Sequence, residues 1–293
     1  MFADFLPYQV ADLRDPLAVA LAQLIYRQAI PTPLDKQAIA TAIVQQGSGG
    51  VPILLLHGFD SSLLEFYRLL PLLAANNETW AIDLLGFGFT DRMAGLTFDA
   101  LAIKTHLYCC WKLLINQPVI LVGTSMGGAA AIDFTLTYPE AVKKLVLINS
   151  MGYIGGFPLG KFLFPPLDFL AVEFWRQRKL QALTLGSISG WNRNSLEALR
   201  CAALHMEMPR WHEAMIDFTK SGGYGWLGDR IPLIDKPTLI LWGELDDTLG
   251  NDDAYKFKRD IAHSKLVWIK DCGHVPQLDH PDIVAENILA FLG

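Results

Sequence analysis

The sequence predicts an α/β fold: a mostly parallel sheet covered by helices on both faces, with a helical cap inserted after the sixth strand. Three observations predict it. Short, continuously apolar runs such as Ile53-Leu54-Leu55-Leu56 and Val119-Ile120-Leu121-Val122 alternate with stretches of helical periodicity. A strand that is apolar on both faces is buried on both, as in a parallel sheet. The alternation stops at Asn149 and resumes at Pro237, with helical character between. The composition agrees: 52 % of the 293 residues are hydrophobic and 18 % are charged, against roughly 25 % charged in an average soluble domain. The length suits one large α/β domain with an insertion, and buries a core without disulfide or metal staples.

Each element follows in order. Residues 1–36 read as a leader segment, in which Asp15 caps a helix that starts at Pro16 and runs to about Gln28. Ile39, Thr41 and Ile43 alternate with small residues, as in an edge strand. A buried strand covers 51–56, and Ser62-Leu63-Leu64-Glu65 reads as a capping box opening a helix to about Ala75. Strand 79–82, helix 98–114, strand 119–122, helix 127–138 and strand 145–148 follow, and Pro139 stops the second of these helices. After the insertion come strand 238–242, helix 252–261, strand 266–269 and helix 281–292. The expected division is a leader at 1–36, an α/β core at 37–151 and 230–293, and a helical cap at 152–229.

Composition also excludes functions. The net charge is −6 with no run of Lys or Arg, which argues against nucleic acid. No stretch reaches roughly 18 consecutive apolar residues, so no spanning helix is expected. Met1-Phe2-Ala3-Asp4 lacks a basic secretory start, and a cytoplasmic protein is expected. Cys109, Cys110, Cys201 and Cys272 show no metal-ligand spacing and read as reduced thiols, with no metal or cofactor expected.

The motif that carries chemistry is Gly123-Thr124-Ser125-Met126-Gly127-Gly128, set between an apolar strand and a helix. That is the context of a G-x-S-x-G nucleophile elbow, whose glycines relieve a turn too tight for side chains. A serine hydroxyl needs a base to take its proton. The elbow therefore predicts a later carboxylate and then a histidine, each at the carboxyl end of a strand. Asp246 follows strand 238–242 and His274 follows strand 266–269. Asp247 and Glu244 are rivals to Asp246, and the other histidines (His57, His106, His205, His212, His263, His280) read as packing or surface residues. Acyl transfer also needs two amide donors for an oxyanion. Met126, next after the serine, and Phe59, in the loop His57-Gly58-Phe59-Asp60, are the candidates.

Together these residues resemble the α/β-hydrolase superfamily, in its cap-bearing serine esterase and hydrolase branch. The resemblance runs from about Pro52 to Gly293 and rests on His57-Gly58-Phe59, Asp83-Leu84-Leu85-Gly86-Phe87-Gly88-Phe89-Thr90-Asp91, the elbow, Trp242-Gly243-Glu244-Leu245-Asp246 and Gly273-His274. Thr90 stands where the family usually has Ser. Segment 57–91 also resembles hydrolases of cyanobacteria and plant plastids. The resemblance implies Ser125 as nucleophile, His274 as base and Asp246 as the residue orienting it, without cofactor. Carbon–carbon bond hydrolases share Ser-Met-Gly-Gly but usually have Asn before the serine, where this chain has Thr124.

The front of the cap is strongly apolar, with Phe157, Leu159, Phe162, Phe164, Leu167, Phe169, Leu170, Phe174 and Trp175 among its residues. Packing within the cap explains many of them. They also suit a lipophilic pocket, for which Phe59, Phe157, Phe162 and Val275 are candidate lining residues, or a face that meets a bilayer beside Lys161, Arg176, Arg178 and Lys179. The expected activity is cleavage of a small-molecule carboxylic ester. The alternatives are cleavage of a carbon–carbon bond in a meta-cleavage-type diketone, and a ligand-binding module without catalysis.

Overall fold

The structure is a computed structural model that describes residues 1–154, 156–157, 160–189 and 193–293. Its strands are β1 (Tyr26–Ile30), β2 (Ile39–Gln46), β3 (Ile53–Leu56), β4 (Thr79–Ile82), β5 (Val119–Thr124), β6 (Val142–Ile148), β7 (Thr238–Gly243) and β8 (Ser264–Ile269). They form one eight-stranded sheet in the order β1-β2-β4-β3-β5-β6-β7-β8. The strands from β4 through β8 in that order run parallel; β2 pairs antiparallel with both β1 and β4.

The helices are α1 (Pro16–Leu24), α2 (Leu69–Ala74), α3 (Ala100–Leu114), α4 (Met126–Thr137), α5 (Leu167–Ser189), α6 (Arg193–Leu204), α7 (Trp211–Ser221), α8 (Asp252–Asp260), α9 (Pro276–Asp279) and α10 (Pro281–Leu292). Strand side chains alternate between the two faces. Leu54, Leu56, Leu121, Leu145, Leu147 and Ile240 point to one core, shared with α3, α4 and α8. Ile53, Leu55, Ile120, Val122, Val146 and Leu239 point to the other, shared with α1, α2 and α10. The central strands are therefore buried on both faces, and each such Leu or Ile contributes roughly 1.5–3 kcal/mol of burial. Cores on both sides account for part of the excess of apolar residues; another part is exposed in the segment from Phe162 to Trp175. Among the described residues no helix is long and apolar enough to cross one.

Three local expectations change. The helix opened by Asp15, whose carboxylate accepts from Leu17 N–H at 2.9 Å, ends at Leu24 rather than near Gln28. Residues 26–30 pair with β2 instead, so the leader 1–36 supplies an edge strand to the sheet. The helix expected from Ser62 to Ala75 is split into a 3₁₀ turn at Leu63–Phe66 and the short α2. Pro71 causes the split: it has no N–H for the Tyr67 carbonyl, and its ring crowds that group. The Glu65 side chain does not close a capping box, because its carboxylate is bound elsewhere. The helices α5, α6 and α7, the segment called the cap below, all lie between β6 and β7 in the chain. Leu159, counted in the apolar front of the cap, lies outside the described residues.

Candidate active site

Ser125 stands between β5 and α4 with φ 49° and ψ −118°, a backbone conformation that non-glycine residues rarely adopt. Two neighbours explain why the chain can turn there. A Cβ on Gly123 would lie 2.3 Å from the Gly127 carbonyl oxygen, and one on Gly127 would lie 2.2 Å from the Leu56 oxygen. Only glycine fits at either position. Backbone bonds from Ser125 N–H to Ile148 O and from Met151 N–H to Ser125 O, both 3.0 Å, fix the turn against the end of β6.

His274 lies after β8 and Asp246 after β7, so three loops at one sheet edge bring Ser125, His274 and Asp246 together. His274 Nε2 is 3.1 Å from Ser125 Oγ, and Nδ1 is 3.0 and 3.1 Å from the two oxygens of Asp246. A carboxylate only accepts, so Nδ1 carries the proton and Nε2 is left to accept from the serine hydroxyl. Asp246 Oδ1 also accepts from the Thr248 and Leu249 N–H groups at 2.9 and 3.1 Å. Burial pushes the Asp246 carboxyl up, but hydrogen bonds from His274 and Asn149 outweigh it and hold the pKa at about 2. The rivals Asp247 and Glu244 are exposed.

Asn149 is part of this arrangement although sequence reasoning passed over it. Its Nδ2 donates to Asp246 Oδ2 at 2.6 Å, while its Oδ1 accepts from Gly243 N–H at 3.0 Å. The residue takes φ 40° where the sheet pattern ends, and that break in the pattern was its only signal.

The amide candidates sit on either side of the elbow. Met126 is the first residue of α4, where a helical N–H has no acceptor within its own helix. Gly58, just before Phe59, is so close to the elbow that a Cβ on it would lie 3.4 Å from Ser125 Cβ. His57 is fully buried, with Nδ1 2.8 Å from Gly58 O and Nε2 accepting from Leu84 N–H at 3.1 Å. Burial pushes its pKa down to about 3, so it packs as a neutral ring. Thr90 performs the hydroxyl bonding of its loop, donating to Asp83 O and accepting from Ala42 N–H, each at 3.1 Å.

Two cavities meet at Phe59. One, of about 470 Å³, contains Ser125, His274 and Val275. The other, of about 770 Å³, lies under the cap and is lined by Phe157, Leu163, Val172, Trp175 and Met215. Phe59, Asp60 and Lys179 border both. The Phe59 ring packs against Phe87 of the core and against Phe157 and Phe218 of the cap, with centroids 5.8, 5.2 and 5.7 Å apart. Phe162, expected in the pocket, borders neither cavity and is 68 % exposed. In the 3₁₀ turn Gly160–Phe162 it is Gly160 that faces the cavity, while the Phe162 ring turns outward under Lys161 Nζ, 5.2 Å from its centroid.

Asp60 joins cap to core beside this junction. Its carboxylate accepts from Lys179 Nζ of α5, from His205 Nε2 at 2.9 Å and from Trp211 Nε1 at 3.2 Å. Burial pushes the Asp60 carboxyl up, and Lys179 with His205 more than reverses that, holding it at about 2.

Comparison with known proteins places these features among relatives. The family described as the alpha/beta hydrolase fold matches residues 51–281. The alpha/beta hydrolase domain-containing protein VTE7 of Arabidopsis thaliana is 38 % identical over 300 residues, covering 99 % of this chain and 90 % of that protein. A 2-hydroxy-6-oxononadienedioate/2-hydroxy-6-oxononatrienedioate hydrolase of Klebsiella pneumoniae is 30 % identical, covering 84 % of this chain and 88 % of its own. Among solved structures, a thermophilic esterase from Thermogutta terrifontis superposes with a TM-score of 0.74 at 23 % identity, covering 91 % of this chain and 97 % of that one. At that identity the likeness is one of fold.

Proposed function

The chain belongs to the α/β-hydrolase family, and on that premise we propose that it is a serine hydrolase cleaving carboxylic esters of lipophilic small molecules through an acyl-enzyme on Ser125. One observation carries the reading: Ser125 Oγ lies 3.1 Å from His274 Nε2 while Asp246 holds Nδ1. In the proposed reaction the Ser125 oxygen attacks the ester carbonyl as its proton passes to His274. Asp246 keeps the ring oriented and stabilises the imidazolium, and the Met126 and Phe59 amides receive the oxyanion. His274 then protonates the leaving alcohol, and a water deprotonated by the same ring releases the acid. The apolar cavity under the cap supports a lipophilic acyl or alcohol group as the part of the substrate that gives specificity.

The outer face of the cap supports a bilayer as the place where such a substrate is met. Phe162, Phe164, Leu170 and Phe174 are each at least 55 % exposed and border neither cavity, and Arg178 lies 5.9 Å over the Phe174 ring. A second reading, carbon–carbon bond cleavage, is favoured by the Klebsiella relative, since the same serine would attack a ketone carbon.

The deciding experiment pairs a fluorophosphonate probe with p-nitrophenyl esters. Wild type should take one label on Ser125 at neutral pH, and Ser125→Ala should fold, take none and lose turnover by 10⁴-fold or more, on the order of other serine hydrolases. Turnover undiminished in Ser125→Ala would sink the proposal. A protein that takes no label would instead be a binding module. Faster turnover of a meta-cleavage diketone than of any ester would favour the second reading.

A further inference from the structure

The carboxylate of Glu65 ties together three separate loops of the site. Its Oε2 accepts from Gly58 N–H at 3.0 Å. Its Oε1 accepts from the Thr124 hydroxyl and from Gln277 Nε2, the latter at 2.9 Å. Each donor sits near a residue of the proposed mechanism: Gly58 directly before Phe59, Thr124 directly before Ser125, and Gln277 three residues after His274. The three segments come from far apart in the chain and meet at one side chain. Glu65 itself borders the cavity that contains Ser125 and His274.

The donors depend on this carboxylate. Thr124 and Gln277 are buried, and Gln277 Oε1 makes no hydrogen bond among the described residues. Without Glu65 the whole Gln277 amide would lose its partner, and so would the Gly58 N–H. An ionised carboxylate offers about four acceptor sites, and three are filled here by donors from three directions. Gly58 stands between Glu65 and the nucleophile: a Cβ there would be in van der Waals contact, 3.4 Å, with both Glu65 Oε2 and Ser125 Cβ. A shift of Glu65 would therefore move the loop bearing the Phe59 amide relative to the serine.

We propose that Glu65 is a positioning residue that sets the spacing between the oxyanion donor, the nucleophile and the base. This rests on the reading of Ser125 as nucleophile. Glu65 touches no reacting atom, so its effect falls on the transition state rather than on substrate affinity. A displacement on the order of 1 Å at such a site costs about 100-fold in rate.

The test measures kcat and KM on p-nitrophenyl butyrate, together with inhibition by an alkyl boronic acid that mimics the tetrahedral oxyanion. Glu65→Ala should lower kcat about 100-fold, leave KM nearly unchanged and weaken the boronic acid in the same proportion. Glu65→Gln keeps a carbonyl oxygen for Gly58 N–H and presents an amide to Gln277, whose free Oε1 can turn to accept it. It should recover most of kcat. Should Glu65→Ala fail to fold, Gln277→Met cuts one tie and leaves the carboxylate in place; it should cost about tenfold in kcat with KM held. Wild-type kcat in the variant measured, or a loss confined to KM, would overturn the proposal. So would a Gln variant as slow as the Ala one, since charge rather than position would then matter. A wild type that takes no fluorophosphonate label overturns the Ser125 reading and this proposal with it. Labelling that persists beside an inert Glu65 overturns this proposal alone.

Discussion

Both carboxylate oxygens of Asp246 lie within hydrogen-bond distance of His274 Nδ1, at 3.1 and 3.0 Å. The pairing fixes which ring nitrogen faces Ser125. Asp246→Asn would place an amide where only an acceptor serves, and the ring would turn or change tautomer. We expect kcat on a p-nitrophenyl ester to fall by about 10³–10⁴-fold. Asp247→Asn is the matched control, because among the described residues that exposed carboxylate accepts a hydrogen bond from the Thr248 hydroxyl alone, at 3.4 Å. It should stay within about twofold of wild type, as surface substitutions do. Equal losses in the two variants would remove Asp246 from its proposed role.

The same carboxylate should be visible in stability against pH. Its folded pKa of about 2 lies below its ordinary value of 3.8. A depressed carboxylate stabilises the fold fully above its unfolded value and loses that contribution as pH falls through the folded one. The amount is about 2 kcal/mol. Urea unfolding of wild type and Asp246→Asn should therefore give a larger stability gap at pH 5 than at pH 2. The gap should shrink by about that amount between pH 4 and pH 2. A gap that does not change with pH would show that Asp246 is not held ionised by its neighbours.

What could be read from the sequence, and what could not, follows from the range of each interaction. The buried strands were legible because continuous apolar runs have a local cause. So was the elbow, because the steric demand on Gly123 and Gly127 acts within a few residues. The meeting of Ser125, Asp246 and His274 could be anticipated from order alone, since each follows a strand of one parallel sheet. Strand β1 was not, because Tyr26, Arg27 and Gln28 carry no apolar alternation; an edge strand is defined by its partner. Glu65 looked like a capping residue, and its real partners Thr124 and Gln277 lie 59 and 212 residues away. Phe162 suits the pocket by its hydrophobicity, which does not say which way a residue in a 3₁₀ turn points.

Asp60 gives a prediction about the cap as a unit. Its side chain is 16 % exposed and holds Lys179, His205 and Trp211, which belong to three different cap segments. Removing one partner of such a buried cluster leaves the other charge unpaired and costs about 3 kcal/mol. Asp60→Ala should therefore loosen the cap before the core. Limited proteolysis is the measurement: cleavage should rise first within 160–221, while β3 to β8 remain resistant. The double variant Asp60→Ala, Lys179→Met, which leaves no unpaired ammonium, should recover part of the lost resistance. Cleavage that starts in the core would show that these contacts do not anchor the cap.

The cavity under the cap makes the lipophilic reading measurable. Each methylene buried there is worth roughly 0.8 kcal/mol, or about fourfold in kcat/KM, until the space is filled. A series of p-nitrophenyl esters from acetate to decanoate should rise with chain length. Ala171 borders this cavity on α5 and does not border the one containing Ser125. Ala171→Trp should narrow the chamber under the cap and leave the cavity at Ser125 open. The decanoate should then lose at least tenfold in kcat/KM, while the acetate stays close to wild type. Wild type and Phe174→Ser should be compared with and without anionic vesicles carrying the long ester. If the exposed face of Phe164, Leu170 and Phe174 meets a bilayer, vesicles should raise turnover of the long ester in wild type. Phe174→Ser should abolish that gain without changing turnover of the soluble acetate. A flat chain-length series that Ala171→Trp does not alter would mean that the chamber is not where the substrate lies.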